Sequence, residues 1–243
     1  FFQTNTDDMD RDNSAVSSAG HAWEALICWY LNYCLVGTKS VVVKHKKDFV
    51  PKPIADAITV QYGSFKSNSE ADLIGMIFPE TDSLSKEVNP DENTFDLRKK
   101  LDSLCRENFE QMEVGIIQCK TNWKDNSQIP MLWDMVYSSK GFDNNITLGA
   151  EEYTLKSLKD FFYAFVTVPT NDDDFKADST AVNRVKYLSG GNYWGKESKS
   201  GVARSIKEIF KGNFDFSWKG STHRSTVNNY LDGHPDLSYF RLN

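Results

Sequence analysis

Apolar and polar positions change period several times along the chain, and the changes mark an alternation of helices and strands. His21 to Val36 is apolar nearly all round a helical wheel. That predicts a helix buried on most sides, with Ser17 or Ser18 as N-cap and Gly37 as its stop. Ser40 to Val43 reads as a short strand. Val50-Pro-Lys-Pro53 breaks the chain, and Ile54 to Val60 fits a short helix or strand. A polar loop, Gln61 to Ser69, leads into Leu73-Ile-Gly-Met-Ile-Phe78, an apolar strand with Asp72 at its head. A long insertion, about Pro79 to Glu113, follows. Its second half predicts a helix from Asn93 to Met112, with Phe95, Leu97, Leu101, Leu104 and Phe109 as apolar positions. Val114-Gly-Ile-Ile117 is then a compact β-branched strand that turns polar at Gln118-Cys119-Lys120.

Beyond it, Thr121, Asn122 and Trp123 form a turn, and Asn126 or Ser127 caps a helix running to about Tyr137. Asn145 to Gly149 reads as a short strand and Glu151 to Asp160 as a helix. Phe161 to Val168, ended by Pro169, reads as a central strand of the same sheet. A polar loop from Thr170 to Thr180 precedes Val182-Asn-Arg-Val-Lys-Tyr-Leu-Ser-Gly-Gly-Asn-Tyr-Trp-Gly-Lys196. Gly201 to Lys211 is an amphipathic helix with a basic outer face, and residues 212–243 form an aromatic tail that completes the core or a dimer contact.

Composition narrows the partners. The 243 residues carry a net charge of −6, so a uniformly basic nucleic-acid binder is excluded and any DNA contact must come from a local patch. Cys28, Cys34, Cys105 and Cys119 show no CxxC spacing, which argues against a zinc site or a disulfide framework and fits a reducing cytoplasm. Ala25 to Val36, the longest apolar run, is too short to span a bilayer and contains Asn32. Phe1 in place of Met points to a trimmed start, and residues 1–13 read as a flexible polar arm without a signal-peptide pattern.

Candidate chemistry concentrates on the strand that turns polar. Gln118 and Lys120 are two apart and share a strand face. Burying an amine and an amide there unpaired costs several kcal/mol, so both need a polar partner. If the strand beginning at Leu73 pairs with this one, Asp72, Gln118 and Lys120 meet at one sheet edge. Glu24, the one acid of the first helix, shares a face with Ile27, Cys28 and Leu31. It is either half of a salt bridge near the helix start or part of the same catalytic group. His21 reads as a structural hydrogen-bonding residue. Lys44-His45-Lys46-Lys47 is a solvated strand edge or a phosphate contact.

Asp72, Gln118-Cys119-Lys120 and Glu24 together resemble the PD-(D/E)xK nuclease superfamily, and within it the type II restriction endonucleases. Ala71 stands where the motif has Pro, and Gln118 where it has Glu or Asp. The order of Glu-bearing helix, Asp-bearing strand, QxK strand and helix matches the family core over roughly residues 14–168. The resemblance implies an α/β fold: a restriction-endonuclease-like core, with a mixed central sheet flanked by helices and an insertion between the two motif strands. It makes residues 14–243 one nuclease domain, with recognition and elaboration in about 169–243. The implied activity is magnesium-dependent hydrolysis of double-stranded DNA, with manganese able to substitute, by a homodimer in the bacterial cytoplasm. The implied metal ligands are Asp72, Gln118 and the Cys119 carbonyl, with Glu24 acting through water or a second ion and Lys120 beside the attacking water. Asn122, Asn126, Arg184, Lys186, Asn192, Tyr193, Trp194 and Lys196 are the candidate DNA contacts; Arg and Asn suit guanine and adenine edges, and the aromatics offer stacking faces. A surface turn anchored by aromatics accounts for 182–196 equally well. Two further readings keep the fold: a structure-selective repair or recombination nuclease, and an inactive DNA-binding module. In a third, an unrelated α/β protein, Gln118 and Lys120 merely edge a sheet.

Overall fold

The computed structural model describes residues 13–36, 38–67, 71–82, 93–121, 146–167 and 231–236, together with 183, 191–193 and 228–229. It is an α/β architecture in which helices flank a mixed sheet. The main sheet has the order β1-β4-β5-β7-β8, from Ser40–Lys44, Leu73–Ile77, Glu113–Lys120, Asp160–Thr167 and Gly191–Tyr193. β1 pairs with β4 and β4 with β5 antiparallel, while β5 pairs with β7 and β7 with β8 parallel. β5 and β7 lie in the middle and are buried along almost their whole length, as their continuous apolar sequences anticipate.

Strand alternation divides the core into two. Leu73, Ile77, Ile117, Ala164 and Val166 face α1 (Asn13–Cys34), which meets them with Trp23, Ile27, Leu31 and, just past its end, Leu35. Ile74, Met76, Val114, Ile116 and Phe165 face the other way, onto α2 (Lys52–Ala57) and α3 (Thr94–Glu107) with their flanking segments. The predicted helix 21–36 is therefore buried along one side only: Leu26 and Trp29 are 42% and 53% exposed. It also begins at Asn13 rather than after Ser17 or Ser18, because the small residues between them continue the helix. α3 starts as expected, with the Asn93 side chain accepting from Asp96 N–H at 3.0 Å, and gives way to a 3₁₀ turn at Phe109–Gln111.

Two expectations fail for local reasons. The loop expected from Gln61 to Ser69 is a hairpin over its described residues, 61–67: β2 (Val60–Tyr62) and β3 (Phe65–Ser67) pair around Gly63 at φ 59, and β6 (Ile146–Leu148) pairs with β2 in a separate three-stranded sheet. Glu151 to Asp160 is not a helix. Gly149 and Glu151 both have positive φ (101 and 57), which a right-handed helix cannot absorb, and Lys159 N–H bonds Met112 C=O at 3.0 Å, drawing the segment into β7. A 3₁₀ turn at Leu155–Ser157 is all that forms.

β1 is an edge strand, and α1 covers part of that edge. Asn32 Nδ2 donates to Val42 C=O at 2.6 Å, and Val42 N–H donates to Asn32 Oδ1 at 2.9 Å, so the amide mimics a neighbouring strand. Asn32→Ala leaves Val42 N–H unmatched and its carbonyl with only the Cys28 thiol, 3.4 Å away, and is expected to cost about 1–3 kcal/mol, read as a lower urea midpoint. An unchanged midpoint would mean that water replaces the amide at no cost.

Candidate active site

The register of β4 on β5 sets Leu73 against Ile117, which brings Asp72, one residue before β4, level with Gln118. At this end of the sheet a single carboxylate oxygen gathers three donors. Asp72 Oδ2 accepts from Gln118 Nε2 at 2.7 Å and from Cys119 N–H at 2.7 Å, and Lys120 Nζ lies 3.8 Å away. The first two are hydrogen bonds; the third is an ion-pair contact beyond hydrogen-bond length. The fold thus brings Asp72 to three consecutive positions, Gln118 to Lys120, from which the insertion carrying α3 separates it in sequence.

The carboxylate is little exposed, with 16% of its side chain reaching solvent and 11% of Lys120. Burial pushes Asp72 up to about 6; the Lys120 ammonium and the Cys119 N–H pull the other way, and the charge of Glu24 adds to the rise. Burial also drives the Cys119 thiol well above its usual range, with Asp72 and Glu24 contributing, so this cysteine is an inert neighbour rather than a nucleophile. Tyr163 of β7 is raised by burial too, and by the charges of Asp72 and Cys119.

Glu24 approaches from α1. Its Oε2 lies 3.6 Å from Lys44 Nζ and 3.5 Å from His21 Nδ1, and its charge is felt at both Asp72 and Cys119. The salt bridge foreseen for Glu24 is present, with Lys44 as its partner. For Lys44, read from the sequence as a solvated edge or a phosphate contact, the pairing with Glu24 is what sequence reading missed. The signal was its parity: it follows Val42 by two on β1, so it shares the face that meets α1.

Asn192 and Tyr193 lie on β8, level with Phe165 and Val166, so three residues of the anticipated loop are a strand of the main sheet. Asn122, Asn126, Arg184, Lys186, Trp194 and Lys196 lie outside the described residues, as do residues 1–12, the helix expected at 126–137 and the basic helix at 201–211.

Among the described residues, no cluster of three or more His, Cys, Asp or Glu side chains forms a metal cage. The donor set at Asp72 is of another kind: a carboxylate, an amide and nearby backbone, all hard ligands suited to magnesium. A carboxylate whose ionised form is disfavoured by burial, and further by the charge of Glu24, fits a divalent cation on charge grounds. Compared with protein-family models and with curated proteins, the sequence finds no match.

Proposed function

We propose that the chain is a metal-dependent, sequence-specific endonuclease of double-stranded DNA, built on a restriction-endonuclease-like core. The observation that carries the reading is the convergence of Gln118, Cys119 and Lys120 on Asp72 Oδ2 at the end of two paired strands. Support also comes from element order: α1 with Glu24, then β4 headed by Asp72, then β5 with the QxK residues. No disulfide links Cys28, Cys34, Cys105 and Cys119; a bacterial cytoplasmic location is part of the proposal. No helix among the described residues is long and apolar enough to cross a membrane.

In this reading Asp72, the Gln118 amide and the Cys119 carbonyl hold magnesium, or manganese in its place. When bound, the ion supplies a lowered water pKa and charge neutralisation at the scissile phosphate. Lys120 Nζ, held beside Asp72, orients the attacking water and offsets charge building on the phosphate oxygens. Glu24 acts through metal-bound water or a second ion. Gln118 contributes no charge, so the bare site attracts a cation less strongly than a Glu-bearing motif would. A two-fold homodimer suits a palindromic target.

The test is incubation of a plasmid of known sequence with and without magnesium, followed by end mapping. Discrete bands that require magnesium support the reading, and no cleavage in magnesium or manganese overturns it. Lys120→Ala is expected to slow cleavage by about 10²–10⁴-fold with duplex binding kept. Gln118→Glu is expected to retain metal-dependent cleavage. Binding lost in step with activity in Lys120→Ala would remove Lys120 from the chemistry.

A further inference from the structure

Resting on the nuclease reading, we propose that Lys44 is a contact for the DNA phosphate, held by Glu24 until a divalent cation engages that carboxylate. The ammonium lies 3.6 Å from Glu24 Oε2 and donates to the His21 carbonyl at 3.4 Å. It is three-quarters buried, so it is not a loose surface lysine. Its position is fixed from two sides. The next residue, His45, donates its N–H to the Asp72 carbonyl at 3.1 Å, which ties the end of β1 to the start of the Asp72 strand. Two residues further, Arg98 of α3 donates to Lys47 C=O at 2.5 Å and to Asp48 Oδ1 at 2.9 Å, pinning the basic turn Lys44–Lys47 at the same end of the sheet.

The charges at that end are paired. Asp72 faces Lys120 at 3.8 Å, and Glu24 faces Lys44 at 3.6 Å, so these four groups sum to zero when all are ionised. A neutral quartet offers little to a polyanion. A divalent cation on the carboxylates makes the same four groups and the ion +2 and leaves both ammonium groups without their counter-charges. Cation and phosphate then favour each other's binding, and by linkage the effect runs both ways. Lys120 serves the reacting water in the proposed chemistry, which leaves Lys44 for the phosphate. A permanent structural ion pair predicts the opposite behaviour: Lys44 would matter equally with and without the cation.

Fluorescence anisotropy with a labelled, mixed-sequence DNA duplex separates the two, in calcium and in EDTA, across a salt series. In calcium, Lys44→Met, and Lys44→Gln as a second neutral replacement, are expected to weaken binding about 3–10-fold and to lower the salt slope by about 0.9, the loss of one phosphate contact. In EDTA they change nothing, and Lys44→Arg keeps the slope in both. Glu24→Gln releases Lys44 without a cation, so it is expected to tighten binding in EDTA, a gain that Glu24→Gln with Lys44→Met removes. An unchanged slope in calcium, equal losses in both conditions, or a Glu24→Gln gain that survives in the double variant each overturns the proposal. Wild-type protein that binds and cleaves while Lys44→Met matches it overturns this inference alone. Wild-type protein that binds no duplex in either condition overturns it together with the nuclease reading.

Discussion

Asp72→Asn is expected to abolish DNA cleavage and, in the same molecule, to stabilise the cation-free protein at neutral pH by up to about 3 kcal/mol. The gain follows from what burial does to the carboxylate. Its pKa is pushed up to about 6 in the folded chain, against ~3.9 for an aspartate in an unfolded one. The folded state therefore binds the proton more tightly. Stability from this group is fully present below about pH 4, falls as pH rises toward about 6, and stays lost above that. A rise of about two pKa units at ~1.36 kcal/mol each sets the size of the loss. Asn mimics the protonated acid: its amide oxygen can still accept from Cys119 N–H or Gln118 Nε2, and it carries no charge to bury. Denaturant midpoints measured from pH 4 to 8 should diverge, with wild type falling and the variant flat across that interval. Magnesium or manganese should raise the wild-type midpoint above pH 6 and leave Asp72→Asn unmoved. Parallel curves for the two proteins would mean that the carboxylate is solvated and the site open.

This trade of stability for chemistry was partly legible in the sequence. Gln118 and Lys120 at the end of an apolar strand require a polar partner, and Asp72 at the head of the other strand supplies it once the two pair in register. The strand from Phe161 was equally legible, because continuous β-branched and aromatic sequence fits burial on both faces. The register itself was not legible, since more than thirty intervening residues separate β4 from β5. Neither was the hairpin at Gly63: strands of three residues give too few positions for alternation to stand out from a polar loop. The false helix at Glu151 shows the converse limit. Its sequence has helical propensity, but backbone with positive φ at 149 and 151 and the Lys159–Met112 bond decide the path. Lys44 was hidden by its company. Within Lys44-His45-Lys46-Lys47 it read as part of a solvated edge or a phosphate contact, while the parity of β1 sends it inward to Glu24.

Gly115→Ala is expected to destabilise the fold by about 3 kcal/mol or more. Gly115 sits in the centre of β5, level with Gly75 on one side and Phe162 on the other. A Cβ on residue 115 would fall 1.9 Å from Phe162 Cε1 and 2.1 Å from its Cζ. The ring lies over the glycine because nothing else occupies that place, and it is 7% exposed in the layer shared with Ile27 and Ile117. Moving it out would forfeit packing of the size lost when a buried Phe is truncated, about 3–5 kcal/mol, less whatever the core recovers by relaxing. The strand that must tolerate this is the one that carries Gln118, Cys119 and Lys120, so cleavage should fail together with stability. Gly115→Ala with Phe162→Leu should recover part of both, since the smaller side chain leaves room for the methyl. Gly20→Ala is the control: it lies within α1, nothing stands within 4 Å of its added Cβ, and it should stabilise by about 1 kcal/mol. Equal urea midpoints for wild type and Gly115→Ala would place the Phe162 ring elsewhere and detach the strand's glycine from the layer beneath the site.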